Sequence, residues 1–133
     1  MPLFRIREAA QLLGVSDDTV RRWADQGRVP TTSDGPRAID GADLARFAQQ
    51  LAADSERPPP PPVHSESARN RFVGLVVNVV RDKVMAQVEI QAGPHRIVSL
   101  MSREAADDLA LEPGVLAIAS VKSTNVVVEI PER

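Results

Sequence analysis

The chain has 133 residues, 43% of them hydrophobic and 26% charged, with a formal net charge of −2. Those values fit one ordinary domain or two small ones and exclude a chain disordered throughout or a polycation that coats nucleic acid. There is no cysteine, which removes disulfides, thiolate metal sites and cysteine nucleophiles together.

Apolar runs are strand-sized and fall short of a membrane span, and no charged start followed by an apolar stretch marks a signal peptide. A cytoplasmic protein with no membrane partner is therefore expected. Aromatics are only 3% of the chain, so its cores must be built mostly from Val, Leu, Ile and Ala.

From the N-terminus the hydrophobic period is helical. Ile6, Ala9, Ala10, Leu12, Leu13 and Val15 recur at three and four residues, and Gly14 ends the run. Ser16 is a good N-cap for a second helix, with Asp17 and Asp18 in its first turn, where the helix dipole favours acids. Val20, Trp23 and Ala24 make that helix's inward stripe, and Gly27 closes it. After GRVPTTSDGPRAI, a third helix is predicted to begin between Asp40 and Asp43 and to bury Leu44, Phe47 and Leu51.

DSERPPPPPVHSE (54–66) is Pro-rich and polar. Its prolines favour a polyproline II spacer of roughly 15 Å, at ~3.1 Å per residue. Beyond it the period drops to two. Strands are predicted over 72–80, 84–92 and 96–101, with a turn at Ala-Gly-Pro-His (92–95). Ser102 caps a short helix, REAADDLAL, which Glu-Pro-Gly (112–114) terminates. Strands over 115–122 and 126–130 finish the pattern. The fold class expected is two small domains: an α-helical helix-turn-helix unit with a short β-wing (1–53), the linker (54–66), and a five-stranded OB-like β-barrel (67–133).

The layout AAQLLGVSDDTVRRWADQGRVP, with a glycine turn between two helices, is that of a DNA reader whose second helix enters the major groove. Ser16 and Thr19 open that helix, and Arg21 and Arg22 follow. Arginine bonds guanine bidentately or clamps phosphate, and threonine contacts phosphate or a thymine methyl. The first 54 residues carry seven Arg against eight acids, so binding must rest on placed arginines rather than on bulk charge. R-E-A-A-x-L-L-G-V-S-x-x-T-V-R-R-W followed by G-R-V-P resembles the MerR/excisionase type of helix-turn-helix over about residues 3–50. The resemblance implies double-stranded DNA as partner and a wing over 31–39, with Arg37 touching the DNA backbone.

In the second half, two polar stretches meet the needs of a small dianion: converging N–H and O–H donors, small side chains that let amides approach, and one or two positive charges. They are Ser67-Ala68-Arg69-Asn70 before the first strand and Lys122-Ser123-Thr124-Asn125 between the last two. Each alone also reads as a solvated lead-in or an ordinary turn. Together, S-A-R-N-x-x-x-G-x-V and V-K-S-T-x-V resemble the molbindin, or TOBE, domain over roughly 67–131.

That resemblance implies an OB-like barrel binding molybdate, with tungstate as an alternative guest, at the interfaces of a homo-oligomer. Carried over position by position, Ser67 supplies a hydroxyl, Ala68 and Arg69 supply amides with the arginine's charge nearby, and Asn70 completes the molybdate-binding stretch. Lys122 neutralises the guest, while Ser123 and Thr124 donate through amide or hydroxyl. Where the family usually has Ala after the lysine, Ser123 adds a hydroxyl. Where it often reads Thr-Asn-Glu-Ser, this chain has Ser102-Arg103-Glu104-Ala105, so Ser102 retains one donor and Ala105 loses another. One half of the anion clamp is expected from a neighbouring chain, and a dimer or higher oligomer would pair two helix-turn-helix units.

No catalysis is expected. His64 falls in the linker and His95 in a turn, and the acid pairs Asp17/Asp18 and Asp107/Asp108 are adjacent on helices and point apart. The leading expectation is a molybdate-responsive DNA-binding regulator. Its rivals are a molybdate-storage protein with a docking N-terminal unit, and a constitutive DNA binder whose barrel only oligomerises.

Overall fold

A computed structural model of the chain describes residues 2–55 and 69–132. Residues 56–66 of the expected polyproline spacer (54–66) and the Ser67 and Ala68 donors lie outside the described residues. The chain divides into two units, one ending at Arg57 and the other starting at Pro58, and each is described by itself.

The first unit is β1 (Leu3–Arg5), α1 (Ile6–Leu13), α2 (Asp17–Asp25), β2 (Ala38–Asp40) and α3 (Gly41–Ala53). At the start of α1 the Glu8 carboxylate accepts from the Arg5 amide at 3.1 Å, satisfying a donor that helix geometry leaves without a partner. Gly14 then takes φ +73°, a left-handed conformation that glycine adopts without steric cost. The reversal is tight enough for Ser16 to cap α2 at once, its Oγ accepting from the Thr19 amide at 3.2 Å. Asp40 caps α3 in the same way, accepting from the Ala42 amide at 3.1 Å.

Ile6, Ala9, Ala10, Val20, Val29, Ile39, Leu44 and Phe47 form the buried core, with Trp23 and Leu51 packed at its margin. The small Ala9 and Ala10 let α1 approach α2 closely, which fixes how α2 is presented. Leu12 departs from the expected stripe and is exposed. The wing also differs from expectation. Ala38–Asp40 is a strand, but its antiparallel partner is Leu3–Arg5, with Phe4 opposite Ile39. Residues 32–38 instead close on themselves: the Thr32 amide donates to the Ala38 carbonyl at 2.8 Å, and Thr32 Oγ1 accepts from the Ala38 amide at 3.1 Å.

The second unit is β3 (Asn70–Arg81), β4 (Met85–Ala92), β5 (His95–Ser102), α4 (Arg103–Asp108) and β6 (Leu116–Val121), followed by a 3-10 turn, Ser123–Asn125. All pairings are antiparallel, and the sheet order is β5-β4-β3-β6. β3 is the longest strand and bulges between Val76 and Asn78, which bends it. The sheet curls over a core of Val76, Ala86, Val88, Ile90, Ala106 and Leu111, the OB-like architecture of a small barrel.

Two boundaries differ from expectation. The short helix ends at Asp108 rather than 111, because Ala110 turns the chain with φ +53°. The fifth strand, expected over 126–130, does not pair among the described residues, where the sheet has four strands, and Val127, Val128 and Ile130 are exposed. Valine and isoleucine favour extended backbone, but a strand also needs an edge to pair with.

Candidate functional site

The helix-turn-helix unit presents α2 with Arg21 and Arg22 exposed. Ser16 Oγ and Thr19 Oγ1 lie 2.8 Å apart and share a hydrogen bond, so both hydroxyls sit together at the helix start. Arg21 pairs with Asp18 at 3.0 Å, and Arg37 pairs with Asp25 at 2.8 Å. Both pairs are largely solvent-exposed and so contribute little, at most about 1 kcal/mol each. Phosphate can compete for either guanidinium. Arg22 has no ion pair among the described residues.

Sequence reasoning missed Arg28. Its guanidinium lies 5.3 Å from the Trp23 ring centre and 5.7 Å from that of Phe47, and the two rings meet edge to face at 5.3 Å. The cation thus holds the segment after α2 against the core while staying exposed. The available signal was the pair Trp23 and Arg28, five residues apart across Gly27.

In the second unit, the β3–β6 register decides which polar residues meet. Asn70 stands opposite Val121, and its side-chain amide donates to the Val121 carbonyl at 3.1 Å. Arg69 therefore adjoins Lys122, one step beyond the paired residues, although the two are 53 positions apart in the chain. Ser123 and Thr124 follow as the first residues of the 3-10 turn, where backbone amides have no partner inside the turn. Arg69, Lys122, Ser123 and Thr124 are all exposed. Two stretches expected to come from different chains thus adjoin in one, as far as Arg69 and Asn70 are described.

Ser102 does not join them. It stands opposite Met85 at the start of β4, beside the Arg81 end of β3, whereas Asn70 begins that strand. The whole of β3 intervenes, about 36 Å at ~3.3 Å per residue. Within one chain, Ser102 and Lys122 cannot touch the same small ion. Ser102 does what its type favours locally, its Oγ accepting from the Ala105 amide at 3.0 Å as the N-cap of α4.

The end of the sheet that holds Ser102 is tied by ionic contacts. Arg81 bonds Asp107 at 3.0 Å and the Leu111 carbonyl at 2.7 Å, and Arg103 donates to the Asp82 carbonyl at 3.1 Å. Asp82 accepts from the Met85 and Val84 amides, and these bonds hold its carboxyl below the ordinary carboxylate range. This acid belongs to the turn that joins β3 to β4. Among the described residues no group of three or more His, Cys, Asp or Glu could hold a metal ion, and no helix is long and apolar enough to cross a membrane.

Comparison with known proteins agrees with this division. Residues 3–52 match the helix-turn-helix domain family, and residues 66–128 match the TOBE domain family. Over 65 residues the chain is 37% identical to molybdenum-pterin-binding protein 2 of Clostridium pasteurianum, covering 48% of this chain and 96% of that protein. Molybdenum-pterin-binding protein 1 of the same organism is 34% identical with the same coverage. Among solved structures, a molybdate-binding protein from Sporomusa ovata is 29% identical, with a TM-score of 0.48 over 50% of this chain and 98% of its own. The cytoplasmic molybdate-binding protein ModG, solved with molybdate bound, is 33% identical, with a TM-score of 0.49 over 51% of this chain and 49% of its own.

Proposed function

Because the chain belongs to the TOBE-domain family and carries a helix-turn-helix domain ahead of it, we propose that it is a molybdate-responsive DNA-binding transcriptional regulator acting in the cytoplasm as a homo-oligomer. It binds and signals and carries no catalytic step. The observation that supports the ligand is the Asn70–Val121 register, which gathers one guanidinium, one ammonium, two hydroxyls and the free amides of a turn at one end of the sheet.

That donor set fits a tetrahedral dianion. Arg69 and Lys122 offset its charge, while Ser123 and Thr124 offer hydroxyl and amide donors. The gathered stretches contain no acid that would repel it. Ser67 and Ala68 extend the same donor run by sequence. Tungstate, of like charge and shape, is an alternative guest.

For DNA, α2 is the reading helix. Ser16, Thr19, Arg21 and Arg22 are its contacts, and Arg37 is a backbone contact beside it. Regulation requires that the anion bind one arrangement of the oligomer better than another.

Calorimetry on the full chain tests the ligand. Molybdate is expected to give heat and sulfate much less. Lys122→Ala is expected to weaken molybdate binding roughly 10- to 100-fold, the worth of one charge-assisted hydrogen bond, with an unchanged thermal melt. A band shift on DNA upstream of the chain's own gene, with and without molybdate, tests the response. Binding that is indifferent to molybdate would mean a constitutive DNA protein, and no shift in either condition would mean storage.

A further inference from the structure

The helix α2 ends in a Schellman motif. The Gly27 amide donates to the Ala24 carbonyl at 3.0 Å, and the Arg28 amide donates to the Trp23 carbonyl at 2.9 Å. Gly27 between them is left-handed, with φ +75°. In this motif the residue after the glycine commonly makes an apolar contact back to the helical residue whose carbonyl it bonds. Here an arginine takes that place, and its guanidinium lies over the rings of Trp23 and of Phe47 on α3. Backbone and side chain of Arg28 thus both grip Trp23, and the side chain reaches on to the next helix.

No acid draws this cation off the rings. Asp43 lines the same small recess as Arg28 and Phe47, about 70 Å³ in volume, but Arg46 engages its carboxylate at 3.0 Å. Among the described residues no carboxylate pairs with Arg28. An exposed guanidinium keeps its edge in water while its charge is attracted to the ring faces, so the contact forms without the cost of burying a charge.

The segment that leaves this latch carries Arg37. Val29 is buried in the core, and the chain then closes on itself through the Thr32–Ala38 bonds. Arg37 lies inside that closed stretch and returns to α2, where it meets Asp25 at 2.8 Å. The position of Arg37 beside α2 is therefore set at two points, the exit at Arg28 and the return at Asp25.

We propose that Arg28 is a positioning residue for DNA reading, holding the segment from 28 to 37 so that Arg37 and α2 present one fixed surface. This rests on the DNA reading above and adds a residue outside the contacts assigned there. Arg28 acts through Arg37 and α2 and does not itself bind phosphate.

Fluorescence anisotropy on the full chain tests it, with a labelled duplex from upstream of the chain's own gene and at a temperature where circular dichroism shows every variant folded. Arg28→Gln is expected to lower affinity about three- to tenfold, the worth of cation–π contacts at an exposed site. The slope of log affinity against log salt is expected to match the wild type, because no phosphate contact is lost. Arg28→Lys, which keeps a cation over the rings, is expected to recover affinity to within about twofold. Trp23→Leu is expected to weaken binding as Arg28→Gln does, and the double variant no further than the larger single loss.

Equal affinity of Arg28→Gln and wild type overturns the proposal. So does a slope reduced by about one, which would make Arg28 a phosphate contact, and so do additive losses in the double variant. A wild type that fails to bind the duplex overturns the DNA reading and this proposal together, whereas a binding wild type beside an unaffected variant removes the latch alone. Should Trp23→Leu fold poorly, acrylamide quenching of Trp23, the chain's one tryptophan, is the second measurement. Arg28→Gln is expected to be quenched more readily than the wild type, and equal quenching overturns the latch.

Discussion

Gly74 shows how one residue sets the geometry of the barrel. A Cβ built there would lie 2.5 Å from the Gln91 carbonyl oxygen and 2.8 Å from Ile90 Cγ2, distances that real side chains do not tolerate. The oxygen belongs to the backbone of β4 and has little room to withdraw. Glycine is present because β3 and β4 approach too closely for any side chain, four residues along from the Asn70–Val121 bond. Gly74→Ala is expected to destabilise the full chain by about 1–3 kcal/mol, the usual cost of overpacking, read from urea unfolding of the sheet signal.

Among elements, the proposed function rests on α2 for DNA and on the start of β3 for the anion. Arg22 is exposed and makes no ion pair among the described residues, whereas Arg21 and Arg37 each face an aspartate. Arg22→Ala is therefore expected to weaken DNA binding and to reduce the slope of log affinity against log salt by about one, measured by fluorescence anisotropy at several salt concentrations. Circular dichroism should be unchanged, because the side chain supports no packing.

The elements themselves were largely legible in the sequence. Ser16, Asp40 and Ser102 announced their helices as caps, Gly14 announced the turn, and alternation marked β4. What sequence could not supply was partnership. Leu3–Arg5 is too short to show a period, so its pairing with Ala38–Asp40 was hidden and a self-contained wing was expected in its place. Val126–Ile130 has a strand's composition, but composition does not say whether an edge is there to pair with it. Ser102 entered the site through family resemblance, and only the register placed it at the far end of β3 from Lys122. Arg28 escaped because a cation resting on two rings leaves no periodic trace.

For the whole molecule, the proposed homo-oligomer and the proposed DNA binding meet in avidity. The first 54 residues are net acidic and carry seven arginines, so one helix-turn-helix unit alone is expected to hold DNA weakly. Linking units through the barrels turns the second contact into an intramolecular one. DNA affinity is accordingly expected to fall by tenfold or more at chain concentrations where the oligomer dissociates. Band shifts over a dilution series, beside light scattering at the same concentrations, would measure this, and an affinity indifferent to mass would separate assembly from DNA binding.

The bond from Asn70 to Val121 spans 51 residues of chain, and this has a consequence for the order of events during synthesis. The helical unit is complete once residue 53 has emerged, and its contacts are mostly local, the kind that form fast. The sheet cannot take shape until β6 arrives to pair with β3, and that pairing closes a long loop. A nascent chain therefore spends an interval with a finished first domain and an open, valine-rich second one.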